Sequence, residues 1–303
     1  MFSKCRKILS ATFSRLLLGL HGSCMVILAT LMKQDSSYLY LLTGIVLLFV
    51  EMSMTLQMTE HGEWKWFSPM VLLYLSSVIP SVFVLELEYL RFSVKANGTN
   101  ESLVNSTNFK EFEKTYSIVL QISEELTILV LVIGRWLMPR GNMSRDQLAQ
   151  LLLMYLALGA DILDILELIK EPSVKNKKTT TVAGLCLFSL AIMQFTLVLT
   201  QTWSPSSPEI KDNEHLQSLS EVKNCILSQC CQSEVWSVII MVGMQDGPFL
   251  IYRLYLVTVQ KVFNRSIFFF IYKNMLAVII QVYRVVVFFG NQNRIRKKFI
   301  HKI

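Results

Sequence analysis

The chain has 303 residues, of which 52% are hydrophobic and 17% are charged, whereas ordinary soluble domains contain roughly 25% charged residues. Its 12 glycines and 7 prolines are too few for a fibrous or low-complexity chain, and its apolar content is too high for a disordered one. The composition therefore predicts an all-α fold, a polytopic transmembrane helical bundle.

The net charge of +7 originates at the two ends of the chain. Residues 1–15 carry four basic side chains and residues 291–303 carry five, and neither segment has an acidic residue. Basic ends beside apolar helices are typical of the cytoplasmic side of membrane proteins, where they are attracted to anionic inner-leaflet lipids. We expect no nucleic-acid partner, because that would require a basic stripe across a folded face.

About eight segments are candidates for membrane spans, since a helix needs about 20 mostly apolar residues to cross the bilayer. Three of them are long runs without charge, and the others contain charged side chains. The fifth has an alternative interpretation as an interfacial or re-entrant helix. In chain order the predicted spans are 16–32, 36–58, 66–85, 116–137, 148–169, 181–202, 235–260 and 266–290, which together form a single transmembrane helical domain at 16–290.

A polar loop is predicted at 89–115, between the third and fourth spans. It carries three Asn-X-Ser/Thr acceptors within nine residues, at Asn97, Asn100 and Asn105. This density favours N-glycosylation and therefore an extracellular or luminal loop; the alternative is chance in a linker rich in Ser and Asn. With eight spans, both ends of the chain then face the cytoplasm.

Three cysteines, Cys225, Cys230 and Cys231, cluster in a second predicted loop at 203–234. If this loop is cytoplasmic, as eight spans predict, a cysteine pair beside a helix end is a candidate palmitoylation site. If the loop is extracellular, we expect Cys225 to form a disulfide with Cys230 or Cys231.

Charged side chains inside the predicted spans form a candidate intramembrane polar network. A charge at the bilayer centre costs about 2.5–3.5 kcal/mol on insertion scales, so each is expected to face a partner or a water-filled cavity. Acidic members outnumber basic ones, which is compatible with a cation or proton pathway. The network consists of Glu51, Glu124, Glu125, Asp161, Asp164, Asp246, Arg253, Lys273 and Arg284.

The last two spans are expected to pack together through their polar faces. Asp246 is predicted to meet Lys273 or Arg284, because Gly243 and Gly247 form a small-xxx-small pattern that allows a neighbouring backbone to approach closely. Proline after Gly247 should also break the hydrogen bonding of the seventh span.

No motif of a catalytic or metal-binding protein is found. Neither a phosphate-binding loop nor a His-Glu-x-x-His site occurs, and the four histidines are scattered singly. We therefore expect no catalytic residue, no metal, no cofactor and no enzymatic activity. The favoured function is a receptor-like or scaffold role through unknown protein partners; the alternative is a cation- or proton-coupled transporter or channel that uses the acidic groups within the membrane.

Several ordered runs of sequence resemble the transmembrane protein 26 family. They include Glu63-Trp64-Lys65-Trp66-Phe67-Ser68-Pro69, Arg145-Asp146-Gln147-Leu148, and Gln245-Asp246-Gly247-Pro248-Phe249-Leu250. The resemblance covers nearly the whole chain, from about residue 15 to 290. It implies a multi-pass plasma-membrane or secretory-pathway protein of about eight helices with a glycosylated loop after the third. It implies no biochemical activity, so it assigns no catalytic or ligand-binding residues.

Overall fold

A computed structural model describes residues 2–58, 67–98, 107–138, 144–175, 177–197 and 239–300. Within these ranges the regular structure is helical and no strand occurs, so the predicted all-α fold is confirmed. The chain divides into two compact units, Met1–Val198 and Leu199–Ile303.

The described part of the first unit contains five long helices, one short helix and one further helix of moderate length. They are α1 (Phe2–Lys33), α2 (Leu42–Met58), α3 (Pro69–Gly98), α4 (Thr107–Leu137), α5 (Arg145–Lys170), α6 (Pro172–Lys175) and α7 (Lys178–Ile192). A 3₁₀ turn at Ser36–Leu41 leads into α2, and another at Met193–Thr196 follows α7.

The turn between α1 and α2 is held by a side-chain cap. The Asp35 carboxylate accepts a hydrogen bond of 2.9 Å from the Ser37 N–H, which is the usual way to satisfy a donor at a helix start. That backbone hydrogen bond holds the pKa of Asp35 below its ordinary value. The cap therefore marks the start of the 3₁₀ turn that leads into α2.

Helix α3 lies at the centre of the first unit. It packs against α1, α2 and α4. In the most apolar stretch of α3, 56% of the residues are buried, compared with 33% in that of α1. Its fully buried face includes Tyr74, Leu75, Val78 and Val82. Tyr74 and Leu75 precede Val78 by four and three positions, and Val82 follows it by four, which places them on one side of the helix.

Close packing of α2 on α3 depends on a glycine. A Cβ atom at Gly44 would collide with the Ser77 Oγ and lie 3.1 Å from the backbone oxygen of Leu73. The same Ser77 hydroxyl donates a 2.8 Å hydrogen bond to the Leu41 carbonyl. Small residues at this contact let the two backbones approach, as in other membrane helix pairs.

Contacts at the helix ends define the direction of α1 relative to α3 and α4. The Ser10 hydroxyl, near the start of α1, donates to the carbonyl of Leu137 at the end of α4. Lys33, the last residue of α1, lies 2.8 Å from the Glu88 carboxylate in the second half of α3. Helices α1 and α3 therefore run in the same direction, and the start of α1 lies at the opposite end of the bundle from the end of α3.

The helices on both sides of the predicted glycosylated loop are longer than expected. Helix α3 continues to Gly98 and α4 begins at Thr107, so much of the segment 89–115 is helical. Aromatic contacts between the two helices explain this extension: the rings of Tyr89 and Tyr116 stack at 5.5 Å, and those of Phe92 and Phe112 meet edge to face at 6.3 Å. The hydropathy of a segment does not indicate such contacts, so it does not predict these helix ends.

The second unit contains α8 (Gly247–Thr258) and α9 (Arg265–Ile300), which pack against each other. A π-helical turn at Val242–Asp246 precedes α8. In this turn the Gly247 N–H donates to the carbonyl of Val242, five residues earlier, and Pro248 has no N–H to offer. The predicted break in the seventh span is therefore a π-helical turn.

Six described helices are long and apolar enough to cross a membrane: Ile8–Lys33, Ser36–Met58, Pro69–Ser93, Glu111–Leu137, Lys178–Thr196 and Arg265–Val287. They correspond to six of the predicted spans. The other two predicted spans, 148–169 and 235–260, are also helical where they are described, but α5 contains several charges and the second is interrupted by the π-helical turn.

Candidate functional site

The first charged contact inside the bundle is an ion pair between α1 and α2. The Arg15 Nε and Nη2 donate to the two carboxylate oxygens of Glu51 at 3.0 and 3.1 Å. The side chains are only 1% and 10% exposed. Arg15 also donates to the Ala11 carbonyl, and the Thr55 hydroxyl donates to Glu51. A bidentate pair with these additional hydrogen bonds is the geometry in which a buried ion pair is best compensated.

The second charged contact joins three helices, and we name it the acid–lysine cluster. It consists of Glu86 on α3, Glu124 on α4 and Lys170 at the end of α5. The Lys170 Nζ lies 2.5 Å from Glu124 Oε2 and 3.7 Å from Glu86 Oε1. The two glutamates are 1% and 2% exposed, and the lysine is 19% exposed. The cluster therefore places two buried carboxyl groups around one ammonium group.

A third contact lies nearer the end of the bundle. Glu88 is bound by Lys33 of α1 at 2.8 Å and by Arg91 of its own helix at 3.7 Å. Nearby, the Tyr116 hydroxyl donates to the Leu85 carbonyl at 2.7 Å. Lys33, Arg91 and Tyr116 thus bind partners outside the acid–lysine cluster.

The remaining predicted network residues of the first unit occupy different environments. Glu125 is exposed and accepts a 2.9 Å hydrogen bond from Gln121, one turn earlier, as expected for residues four positions apart. Asp161 and Asp164 are buried on α5, and neither lacks a partner. The adjacent glutamates of α4 therefore have different environments, because Glu124 faces α3 and α5 whereas Glu125 faces outward.

In the second unit, Arg253 is fully buried against aromatic rings. Its guanidinium lies 4.8 Å from the ring centre of Phe270 and 5.5 Å from that of Phe249. The Lys273 ammonium also lies over Phe270, at 5.4 Å. Cations placed over aromatic faces are attracted by the ring quadrupole, so Phe270 on α9 contributes to holding both cations.

The other polar residues of this unit lie on the packed helices. Asp246 is buried in the π-helical turn. Arg284 is exposed, and its Nη1 donates to the Gln281 side-chain oxygen at 3.4 Å. The expected packing of the last two spans is confirmed, whereas the pairing of Asp246 with Lys273 or Arg284 stays a prediction.

Three residues of the first two charged contacts were absent from the predicted network. Arg15 was assigned to the cytoplasmic N-terminal segment, and Glu86 and Lys170 lie one residue beyond the predicted ends of their spans. A usable signal was present for Glu86, because the apolar residues Tyr89 and Leu90 continue the helical pattern after it. A charge that adjoins a predicted span should thus be included when such networks are sought.

The remaining predicted sites are only in part within the described residues. The backbone of Asn97 lies in the last turn of α3, whereas Asn100 and Asn105 lie outside the described ranges, as do Cys225, Cys230 and Cys231. Among the described residues, no group of three or more His, Cys, Asp or Glu side chains is placed to hold a metal ion.

Comparison with known families covers most of the chain. The sequence profile described as transmembrane protein 26 matches residues 5–284. The chain belongs to the transmembrane protein 26 family. The matched range of the transmembrane protein 26 family contains all the charged contacts described above, in both units. No solved structure matches the chain. Family membership and the six apolar helices together identify a multi-pass membrane protein in contact with the lipid bilayer.

Proposed function

We propose that the protein is a non-enzymatic membrane protein that acts through protein partners, in a receptor-like or scaffold role. The observation that carries this proposal is the exposed surface of α9. In the most apolar stretch of α9, only 17% of the residues are buried, compared with 56% in that of α3. Within its own unit α9 packs against α8, and a span with so little of its described surface buried leaves the rest for lipid or for another protein.

The exposed surface of α9 includes polar groups as well as apolar ones. Tyr272, Leu276, Ile279 and Tyr283 follow one another at intervals of four, three and four residues and are 56% to 66% exposed. We name this set the α9 face. Tyrosine hydroxyls within a bilayer usually find a hydrogen-bond partner, and intervals of three and four residues are those at which one helix packs on another.

The paired charges of the first unit also support this proposal. The bidentate contact between Arg15 and Glu51 satisfies both groups within the bundle. Charges used in this way stabilise a particular arrangement of helices and leave fewer free acidic groups for an ion pathway. A bundle whose buried charges are paired in this way is suited to a scaffold role.

Location and modification are part of the same proposal. A protein of this family with three closely spaced acceptors is suited to passage through the secretory pathway, with glycans at Asn97, Asn100 and Asn105 and the plasma membrane as its destination. Both basic ends would then contact anionic inner-leaflet lipids, and Cys230 with Cys231 would lie on the cytoplasmic side.

Photo-crosslinking from the α9 face tests the partner role. A photoreactive amino acid at Leu276 is expected to give a protein adduct of one defined mass in intact cells. The matched control is Leu20 on α1, which is 68% exposed and should give lipid adducts only. The adduct should decrease when Tyr272 and Tyr283 are both changed to leucine. Lipid adducts alone at Leu276, or adducts only with a second copy of the chain, would contradict the proposal.

A second candidate function is a cation- or proton-coupled transporter or channel. One observation favours it: the acid–lysine cluster places the carboxyl groups of Glu86 and Glu124 in the interior of the bundle. Liposomes that contain the purified chain and an internal pH-sensitive dye test this function. Proton entry that exceeds that of empty liposomes and is lost in Glu124→Gln would support transport, and equal entry rates would argue against it.

A further inference from the structure

The acid–lysine cluster contains one more acidic group than basic groups. Around Glu86 and Glu124, Lys170 is the one cation that the described residues place within 4 Å of a carboxylate oxygen. Both glutamates are almost completely buried. A buried carboxylate without a counterion is strongly disfavoured, so a single lysine cannot neutralise the cluster if both glutamates are ionised.

Two carboxyl oxygens of the cluster also lack a hydrogen bond. Glu86 Oε1 and Glu124 Oε1 are buried and receive no donor among the described residues. Lys170 is close enough to bind Glu124 Oε2, but its distance of 3.7 Å from Glu86 Oε1 exceeds a hydrogen-bond length. Both carboxyl groups approach the same ammonium group, within 4 Å of Lys170 Nζ. Two ionised carboxylates that share one buried cation repel each other, whereas a protonated carboxyl group and an ionised one do not.

The described charged groups on α1 and α3 do not supply the missing positive charge. On α3 and α1, Glu88 is bound by Arg91 and Lys33. On α1, His21 shares a 2.8 Å hydrogen bond with the Tyr74 hydroxyl.

On α4 and α5, the nearby groups are acidic or directed elsewhere. Tyr116 donates to a backbone carbonyl, and Glu125 binds Gln121. Asp161 and Asp164 are further acids, and Glu167 is exposed. The imbalance of the cluster is therefore not corrected by its described neighbours.

We propose that the acid–lysine cluster is a proton-binding site, in which one of the two carboxyl groups is protonated and the other is ionised. Lys170 balances the remaining negative charge. The carboxyl O–H bond forms as an O–H bond of a hydronium ion in the surrounding water breaks, and no other bond changes. Because the lysine is partly exposed, it provides the side of the cluster through which the proton can exchange. The site is expected to hold its proton whether or not the protein transports ions.

Infrared difference spectroscopy of the full-length chain in lipid nanodiscs tests this proposal. A protonated carboxylic acid has a carbonyl stretch that is separate from the carboxylate bands and from the amide band. At neutral pH, Glu86→Gln and Glu124→Gln should each remove the intensity of the same single carboxylic acid, because Lys170 balances whichever carboxylate remains. Combining the two substitutions should remove no more than either one alone.

Two further variants complete the test: one should increase the carboxylic acid intensity, and the other serves as a control. Lys170→Gln should increase the carboxylic acid intensity of the cluster about twofold, because without the lysine both glutamates need a proton. Glu125→Gln, which changes the exposed neighbour of Glu124, should leave the carboxylic acid intensity unchanged.

The result that overturns the proposal is carboxylic acid intensity that is equal in the wild type and in both single glutamine variants. Loss in only one of the two variants would also overturn it, since the proton would then not depend on the pair. If a variant is not recovered as a folded protein, the wild type decides: raising the pH must remove carboxylic acid intensity, and a spectrum without such a change contradicts the site.

Discussion

Loss of the Glu51 charge is expected to destabilise the first unit by about 3 kcal/mol. The substitution Glu51→Gln keeps the size of the side chain but leaves the Arg15 guanidinium without a counterion in a nearly dry position, where it is 1% exposed. Removing one partner of a buried pair typically costs about 3–5 kcal/mol, and an unpaired charge within a membrane about 2.5–3.5 kcal/mol. The two ranges overlap at about 3 kcal/mol, which corresponds to roughly two orders of magnitude in the folding equilibrium.

The double variant should be more stable than the single one. When Arg15→Gln is combined with Glu51→Gln, no charge remains in the contact and the two amides can share a hydrogen bond, so most of the loss should be recovered. The matched control is Lys33→Gln in the contact with Glu88, where the lysine is 29% exposed. Such a partly solvated pair contributes about 1 kcal/mol or less.

Equilibrium unfolding of the purified chain in mixed detergent micelles measures these differences, with tryptophan fluorescence as the readout. The order of stability should be wild type, then Lys33→Gln and the double variant, and finally Glu51→Gln. If Glu51→Gln changes the free energy of unfolding no more than Lys33→Gln does, the Arg15 contact is not the desolvated pair described above. If the double variant is as unstable as the single one, the loss does not arise from an uncompensated charge.

Three further predictions use other parts of the chain. Gly44→Val should destabilise the contact of α2 with α3 by about 1–3 kcal/mol, whereas Gly290→Ala, with no atom within 4 Å of the added carbon, should not; thermal unfolding distinguishes them. Phe270→Leu should cost about 0.5–2 kcal/mol through the lost stacking on Arg253, measured by the same method, and a change within error would show that this contact contributes little. Glycosidase treatment should lower the apparent mass of the wild type but not of a variant lacking the three acceptor asparagines; unmodified asparagines with outward-accessible loop cysteines would reverse the orientation.

The sequence by itself determines the all-helical fold and the approximate positions of the spans. In a bilayer the backbone hydrogen bonds must be made within each segment, so an apolar run of sufficient length specifies a helix without reference to any other part of the chain. The break at Gly247 has the same local origin, since Pro248 lacks a donor wherever it occurs. Helix ends are less well determined, because α3 and α4 extend through ring contacts such as that of Tyr89 with Tyr116.

Only the tertiary structure decides which charges meet. The sequence alone indicates that Glu51 and Glu124 need partners, because a charge within the membrane is costly. It does not indicate that the partners are Arg15, 36 residues away, and Lys170, 46 residues away. These pairings depend on which helices become neighbours and on their rotation, and both follow from close contacts along whole helices, such as the one at Gly44. The second carboxyl group beside Lys170, which creates the proton site, arises in the same way.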